Sequence, residues 1–283
     1  MLRISAPVPE PKTALAALHR SKTRLVASKA VQLSFYPNAV RCIGVNVWCC
    51  QNSGVMQVFD QALTLLGTCS DSNWGDVCDV TVLPNSELVV AGRRGLFHLT
   101  STGATQFVID RVRAYNSCVA KGNTVYAYCY NPSQIFTYKL ENGNRQVLKI
   151  MPLKGIVQDT AFVTLGLPKP TLNDELFACS INDAEVFVLS QSGGKLRATS
   201  GEPGHQTAGK LCWPLLCAVD TEGFVLVADR DNNRLQVCDC AGQWSVPCLQ
   251  PPVARPTGAA IIDNKFYVAS CGDVNKLTLY TAQ

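Results

Sequence analysis

The residues best suited to chemistry are three histidines, His19, His98 and His205, and they stand far apart in the chain. A Ser or Cys nucleophile needs a base within hydrogen-bond reach, and none of the three accompanies a Gly-x-Ser-x-Gly elbow or belongs to an HExxH or HxH pair. His98 is flanked by Phe97 and Leu99, the setting of a packed strand residue. The 14 cysteines include no Cys-x-x-Cys pair, so zinc lacks its usual ligand spacing. Free thiols packed as small hydrophobes, in a reducing compartment, are the expectation. Residues 204–210, GHQTAGK, approach a phosphate-binding loop, but Leu211 replaces the Ser or Thr that would hold magnesium and the flanks are strand-like. The chain is therefore expected to be no enzyme, with no cofactor and no metal.

Recognition chemistry is better represented. Arg93, Arg94, Arg111 and Arg113 fall near Tyr115, and further polar or aromatic candidates are Trp74, Tyr130, Arg230 and Arg255. Arginines beside aromatics can stack bases and contact phosphates, as in single-stranded RNA binding. They can equally anchor an acidic peptide, or stand solvated without a partner. Asp71, Asp76, Asp110, Asp183, Asp231 and Asp273 dilute the positive charge around them.

Positioning these residues falls to a repeated unit. Its clearest copy runs from 201 to 244: an apolar run at 214–220, a Gly223 turn, VLVAD at 225–229, the polar cluster DRDNNR at 229–234, and a third alternating run ending at Cys238. Four short antiparallel strands in some forty residues form one propeller blade. Aligned third-strand ends fall at Phe59, Leu99, Tyr138, Leu189, Cys238 and Tyr280. Each follows an apolar second-strand run such as VNVWCC, ELVVAG or FVLVAD. Six copies predict an all-β, six-bladed β-propeller over 30–283, with blades ending near 69, 109, 150, 200, 249 and 283. A Pro-containing insertion, GLPKPTLN at 166–173, lengthens the fourth copy. The last copy stops after its third strand, which would leave an open edge. AVQLSF at 30–35 is the expected outer strand, closing the ring between the two ends of the chain.

The best copy resembles the NHL repeat, through Pro214, AVD at 218–220, Gly223, VLVAD, NNRLQV at 232–237 and Gly242. It departs from that pattern at Cys238, where Phe is usual, and at Asn233, where the name-giving histidine often sits. The resemblance implies that the Asp and Arg of the DRDNNR turn are structural. It further implies kinship with the propeller of tripartite-motif (TRIM-NHL) proteins, the substrate- or RNA-recognition end of ubiquitin ligases. The RING, B-box and coiled-coil patterns needed for ligase activity do not occur in this sequence, so such activity would come from a partner chain or a longer product.

In a propeller the loops between second and third strands share one face with those between blades. Function is expected there, because rigid strands hold variable loops. Binding of a protein partner is the leading expectation and RNA the alternative. Net charge is +4, but residues 1–29 carry six Lys or Arg against one Glu. From residue 30 onward 19 basic residues face 20 acidic ones, which weakens the RNA reading because affinity for nucleic acid tracks neutralised phosphates. The first 29 residues read as a basic, Pro-containing tail or linker. No apolar run is long enough to span a membrane, and a cytoplasmic location is expected.

Overall fold

A computed structural model describes residues 14–20, 24–141, 144–154, 156, 163–166, 175–190, 195–198, 202–205, 207–220, 222–239 and 241–283. The second-strand runs become strands buried along their whole length, as in Asn46–Gln51, Leu88–Gly92, Leu176–Ser180 and Val225–Asp229. A strand covered on both faces by neighbouring sheets needs apolar residues without alternation, and that is the pattern these segments carry.

Six sheets result. Blade 1 comprises Pro37–Ile43, Asn46–Gln51, Val55–Phe59 and Leu65–Ser70; blade 2 comprises Val77–Val82, Leu88–Gly92, Gly95–Leu99 and Thr105–Asp110. Blade 3 is Tyr115–Lys121, Thr124–Tyr130, Ser133–Glu141 and Asn144–Pro152, and blade 4 is Val163–Gly166, Leu176–Ser180, Glu185–Leu189 and Lys195–Ala198. Blade 5 is Pro214–Val219, Val225–Asp229, Arg234–Cys238 and Trp244–Ser245. In blade 6, Pro256–Ile262, Lys265–Ser270 and Lys276–Ala282 are followed outward by Arg24–Gln32 and then by Cys248–Gln250. Within each blade neighbouring strands are antiparallel, except at the outer edge of blade 6, where Cys248–Gln250 runs parallel to Arg24–Gln32. The fold is a six-bladed β-propeller. Of the insertion expected at 166–173, all but Gly166 lies outside the described residues.

Six hydrophobic clusters occupy the gaps between adjacent blades. Between blades 1 and 2, for example, Trp48 and Met56 meet Val77 and Phe97. Burying such side chains contributes roughly 1.5–3 kcal/mol each. Every described cysteine is a free thiol, and many sit in these gaps. Burial alone pushes the Cys49 thiol up to about 12.

Two features differ from the sequence reading. The outer strand of the last blade runs from Arg24 to Gln32, where AVQLSF at 30–35 had been expected. It pairs antiparallel with Lys276–Ala282, Leu25 facing Ala282 and Gln32 facing Lys276. Ahead of it, Ala14–Arg20 forms a helix whose Ala14, Leu15, Ala16 and Leu18 are buried against blades 5 and 6. Residues 14–20 and 24–29 are thus packed elements, although their basic charge read as a tail. The charge obscured the signal: ALAAL is strongly helix-forming and lies beyond Pro11. Among the described residues no helix is long and apolar enough to cross a membrane.

Candidate functional site

The first strand of every blade faces the axis, so the channel is lined by one strand from each. Arg41, on blade 1, divides it. Its Nε and Nη2 donate to the two carboxylate oxygens of Asp79 on blade 2 at 2.8 and 2.9 Å, and its Nη1 donates to the Cys217 carbonyl of blade 5 at 2.8 Å. Burial disfavours charge on Arg41, but Asp79 more than offsets it and the guanidinium pKa is raised. Asp79 also accepts from Ser117 Oγ of blade 3 at 2.7 Å, and Ser117 Oγ accepts from the Leu165 N–H of blade 4 at 3.0 Å. Thr164 Oγ1 accepts from the Leu216 N–H of blade 5 at 2.7 Å. This belt ties together the inner strands of five blades. Blade 6 joins by close approach: at Gly258 a Cβ would lie 2.8 Å from the Val40 nitrogen, which only glycine avoids.

Above Arg41, toward the loop face, lies a cavity of about 220 Å³. Its wall includes Asn116, 9% exposed, whose amide nitrogen and oxygen both lack a hydrogen-bond partner, and Thr257, 3% exposed, whose hydroxyl also has none. Most buried polar side chains find partners, so three orphaned atoms around one small cavity, contributed by blades 3 and 6, are unusual. Arg93 and Arg230 complete the lining toward the mouth. The Arg230 guanidinium stands 5.2 Å from the Trp213 ring centroid and 6.0 Å from that of Tyr36, while its Nε is buried without a hydrogen bond. Burial pushes the Tyr36 phenol up to about 12, aided by Cys271 and opposed by Arg230 and Arg255.

The mouth holds a further anomaly. Trp213 and Arg255 have φ of 56° and 43°, in a region that bulky residues rarely occupy. Trp213 nevertheless leaves 44% of its surface exposed. Asp231 lies 3.7 Å from Arg230 and 3.9 Å from Arg255, outside hydrogen-bond range of both.

Other parts of the DRDNNR turn have the structural role expected of them. Asp229, fully buried, accepts from Arg234 Nε, Asn232 Nδ2 and Gln236 Nε2, each at 2.8 Å, and from the Cys212 N–H at 2.7 Å. Arg234 and Gln236 reach on to the Lys210 carbonyl. The described part of GHQTAGK is therefore packed against this turn, with His205 bonded to Asn232.

The remaining candidates separate. Arg93, Arg230 and Arg255 lie at the channel mouth, and Arg93 also stands 5.7 Å over the Tyr130 ring. Arg94 and Arg111 are exposed on the rim, Arg94 donating to the Ser72 carbonyl at 3.0 Å. Arg113 is committed to Asp110 at 2.6 Å and lies 4.5 Å over Phe136. Two candidates are corrections. Trp74 is 1% exposed, sealed between blades 1 and 2 with its Nε1 donating to Thr105, because the short 3₁₀ turn at Ser72–Trp74 folds its ring inward. Tyr115 is fully buried, since it opens the first strand of blade 3 and its hydroxyl donates to Asp110 at 3.0 Å. Burial opposes ionisation of Asp110, but the Val112 N–H, Arg113 and Tyr115 outweigh it and hold the carboxyl below its usual range. The four-arginine cluster with Tyr115 therefore does not form one stacking surface.

Sequence reasoning missed Trp213, Asn116 and Thr257. The only signal for Trp213 was a Trp directly before Pro214 at the entry to a strand. Among the described residues no group of three or more His, Cys, Asp or Glu is placed to hold a metal ion.

No protein-family model matches the chain. Over 36 residues, 13% of this chain and 4% of the relative, it is 56% identical to mouse E3 ubiquitin-protein ligase TRIM71. To the Xenopus tropicalis protein of that name it is 48% identical over 44 residues, 5% of the relative's length. The match thus spans only a small part of these relatives. Among solved structures, the β-propeller domain of Myceliophteria thermophila Cps50 (Swd1) superposes with a TM-score of 0.62 at 9% identity, covering 92% of this chain and all of that one. A protein of unknown function from Bacteroides thetaiotaomicron gives 0.70 at 11% identity over 92% of this chain and 73% of its own. Streptogramin B lyase gives 0.59 at 13% identity, covering 90% of this chain and 87% of the lyase. At such identities the likeness is one of fold. Fold and short sequence match together describe an NHL-like propeller resembling that of TRIM-NHL proteins.

Proposed function

We propose that this NHL-like propeller is a non-catalytic platform that recognises a protein partner through the loop face around its channel mouth. The observation that carries this reading is the grouping there of exposed Trp213 with Arg230 and Arg255. Trp and Arg are the residue types that most often dominate interface energetics. The left-handed backbone at two of the three costs on the order of 1–3 kcal/mol per residue and persists only where surrounding structure imposes it, most often at binding sites. A non-catalytic role accords with the histidines, all away from the channel: His19 bonds the Gln243 carbonyl, His98 lies beside Glu87 and Phe107 in blade 2, and His205 bonds Asn232.

The finer reading is that the propeller selects substrates for a ubiquitin ligase system whose transfer chemistry resides in another segment or chain. Its support is the short likeness to proteins named E3 ubiquitin-protein ligases. RNA binding has less support, because Tyr115 is buried and Arg113 is engaged with Asp110.

The test pairs two charge reversals in the full chain, Arg230→Glu with Arg255→Glu at the mouth and Arg94→Glu with Arg111→Glu on the rim. Partners crosslinked in extract of the native source should be lost from the mouth variant and retained by the rim variant. Partners kept by both would remove the mouth from consideration. Saturable, salt-sensitive binding of single-stranded RNA that the rim variant abolishes would replace the protein-partner reading with the RNA one.

A further inference from the structure

We propose that the cavity above Arg41 is a socket for one acidic side chain, an Asp or Glu, presented by the protein partner. The inference rests on the platform reading and adds what the mouth grips. Among the described residues four charged ones line the cavity: Arg41, Asp79, Arg93 and Arg230. Arg41 and Asp79 neutralise each other in a two-point pair at the floor. Arg230 brings a buried Nε–H that no hydrogen bond engages, Asp231 standing 3.7 Å away, and the acceptor that a charged donor favours is an anion.

Size and hydrogen bonding narrow the class. At about 220 Å³ the socket falls below the roughly 300–1,000 Å³ of sites that enclose a whole cofactor or drug-sized molecule. It accommodates a few heavy atoms on a stem that leaves by the mouth. Asn116 offers a donor and an acceptor side by side, and Thr257 a hydroxyl, none with a partner in the protein. A carboxylate accepts from the Asn116 amide, the Thr257 hydroxyl and the Arg230 Nε–H, and the partner's backbone N–H can donate to the Asn116 carbonyl. Trp213, at the rim, would cover the stem of the side chain as it enters.

Leaving such groups buried and unpaired destabilises a fold. A residue kept for structure is expected to destabilise when replaced, whereas one kept for a ligand should do the reverse. Asn116→Leu and Thr257→Val therefore separate the two. Both variants should melt higher than the wild type.

Binding is read on the isotope-labelled full chain from the Trp213 indole N–H and the Asn116 side-chain amide. The probes are blocked Gly-Gly-Glu-Gly-Gly, the same peptide with Gln, free glutarate and inorganic phosphate. The Glu peptide should shift both resonances saturably, and its Gln counterpart should bind at least about tenfold more weakly, the cost of losing a charged hydrogen bond. Each variant should weaken the Glu peptide by a similar factor. Glutarate or phosphate binding as tightly as the Glu peptide would overturn the assignment in favour of a free small anion. No saturable shift, or binding unaffected by Asn116→Leu and Thr257→Val, would overturn the socket itself. If those variants still crosslink the partner while the Arg230→Glu, Arg255→Glu variant does not, the platform stands and only the socket falls.

Discussion

On either side of Arg41 the channel is walled by the same six inner strands, yet the two halves differ in size, in charge and in unpaired hydrogen-bonding groups. The upper half is small, opens among arginines, and leaves Asn116 and Thr257 without partners. The lower half is larger, about 430 Å³, and is walled mainly by apolar side chains such as Ile43, Val80, Leu165 and Ile261, with Ala14 and Leu15 of the helix among them. Among the described residues its one orphaned polar atom is the Asp220 Oδ2. Charged and unpaired polar groups therefore gather toward the loop face, set among apolar inner-strand residues such as Val163 and Leu215. The cost of unpaired hydrogen-bonding groups, about 1–3 kcal/mol each, is concentrated in the half that opens beside the strained Trp213 and Arg255. We take this asymmetry as a division of labour, with the lower half contributing stability and the upper half recognition.

The contrast breaks most severely if the partition is removed. Asp79→Ala leaves the Arg41 guanidinium largely buried and unpaired and also strips Ser117 and the Cys118 N–H of their acceptor. Chemical denaturation should register a loss of roughly 3–5 kcal/mol. A next, smaller effect is expected at the lower closure, where Leu15→Ala removes a side chain that is 2% exposed. It should lower stability by about 2 kcal/mol, near the lower bound for such truncations because a seven-residue helix can settle into the space. Wild-type stability in the Leu15 variant would show the helix to be a bystander.

In the upper half the sign reverses. Asn116→Leu and Thr257→Val should each raise stability, by up to about 1 kcal/mol, as an unpaired group is exchanged for an apolar one of similar shape. A decrease would make the upper half as structural as the lower.

The smallest effect expected is a pH dependence from Asp220. Burial raises its carboxyl pKa against the lowering influence of the Phe224 and Glu222 N–H groups. A raised folded value means that the folded state holds the proton more tightly. The contribution to stability is complete below the ordinary carboxylate pKa and is lost as pH rises through the folded one. Asp220→Asn keeps the Oδ1 that accepts from Phe224 and Glu222, so it should flatten this slope. Asp110, held below the usual range, carries the opposite sign: its contribution is present above the ordinary carboxylate pKa and is lost as pH falls through the folded one. Urea midpoints measured across the acidic range in both proteins would separate the two. An unchanged slope in the Asp220 variant would mean that this carboxyl titrates as it does in the unfolded chain.

Much of the architecture was legible because each blade is a local object. Phe59, Leu99, Leu189 and Cys238 end third strands where the aligned repeats placed them. The Asp229–Arg234 turn was recognisable because its bonding runs within one repeat and its adjoining spacer. The candidate site was legible in part. Arg93, Arg230 and Arg255 were identifiable from their place in loops of one face, but loop position says nothing about which way a ring turns. Trp74 and Tyr115 read as surface aromatics and are buried, whereas Trp213, before a proline at a strand entry, is one of the exposed ones.

The sequence alone determined the six-fold repetition, the antiparallel blades and the face on which loops gather, since these follow from apolar runs and turn residues within some forty positions of one another. Tertiary structure alone decided that Asn116 and Thr257, from blades 3 and 6, share a cavity with Arg230 of blade 5, and that Arg41 of blade 1 meets Asp79 of blade 2 and the Cys217 carbonyl of blade 5. An inner strand has an axial side only once the other blades surround it. Whether a polar residue there faces water, a partner or an empty socket is therefore a property of the ring and of no single repeat.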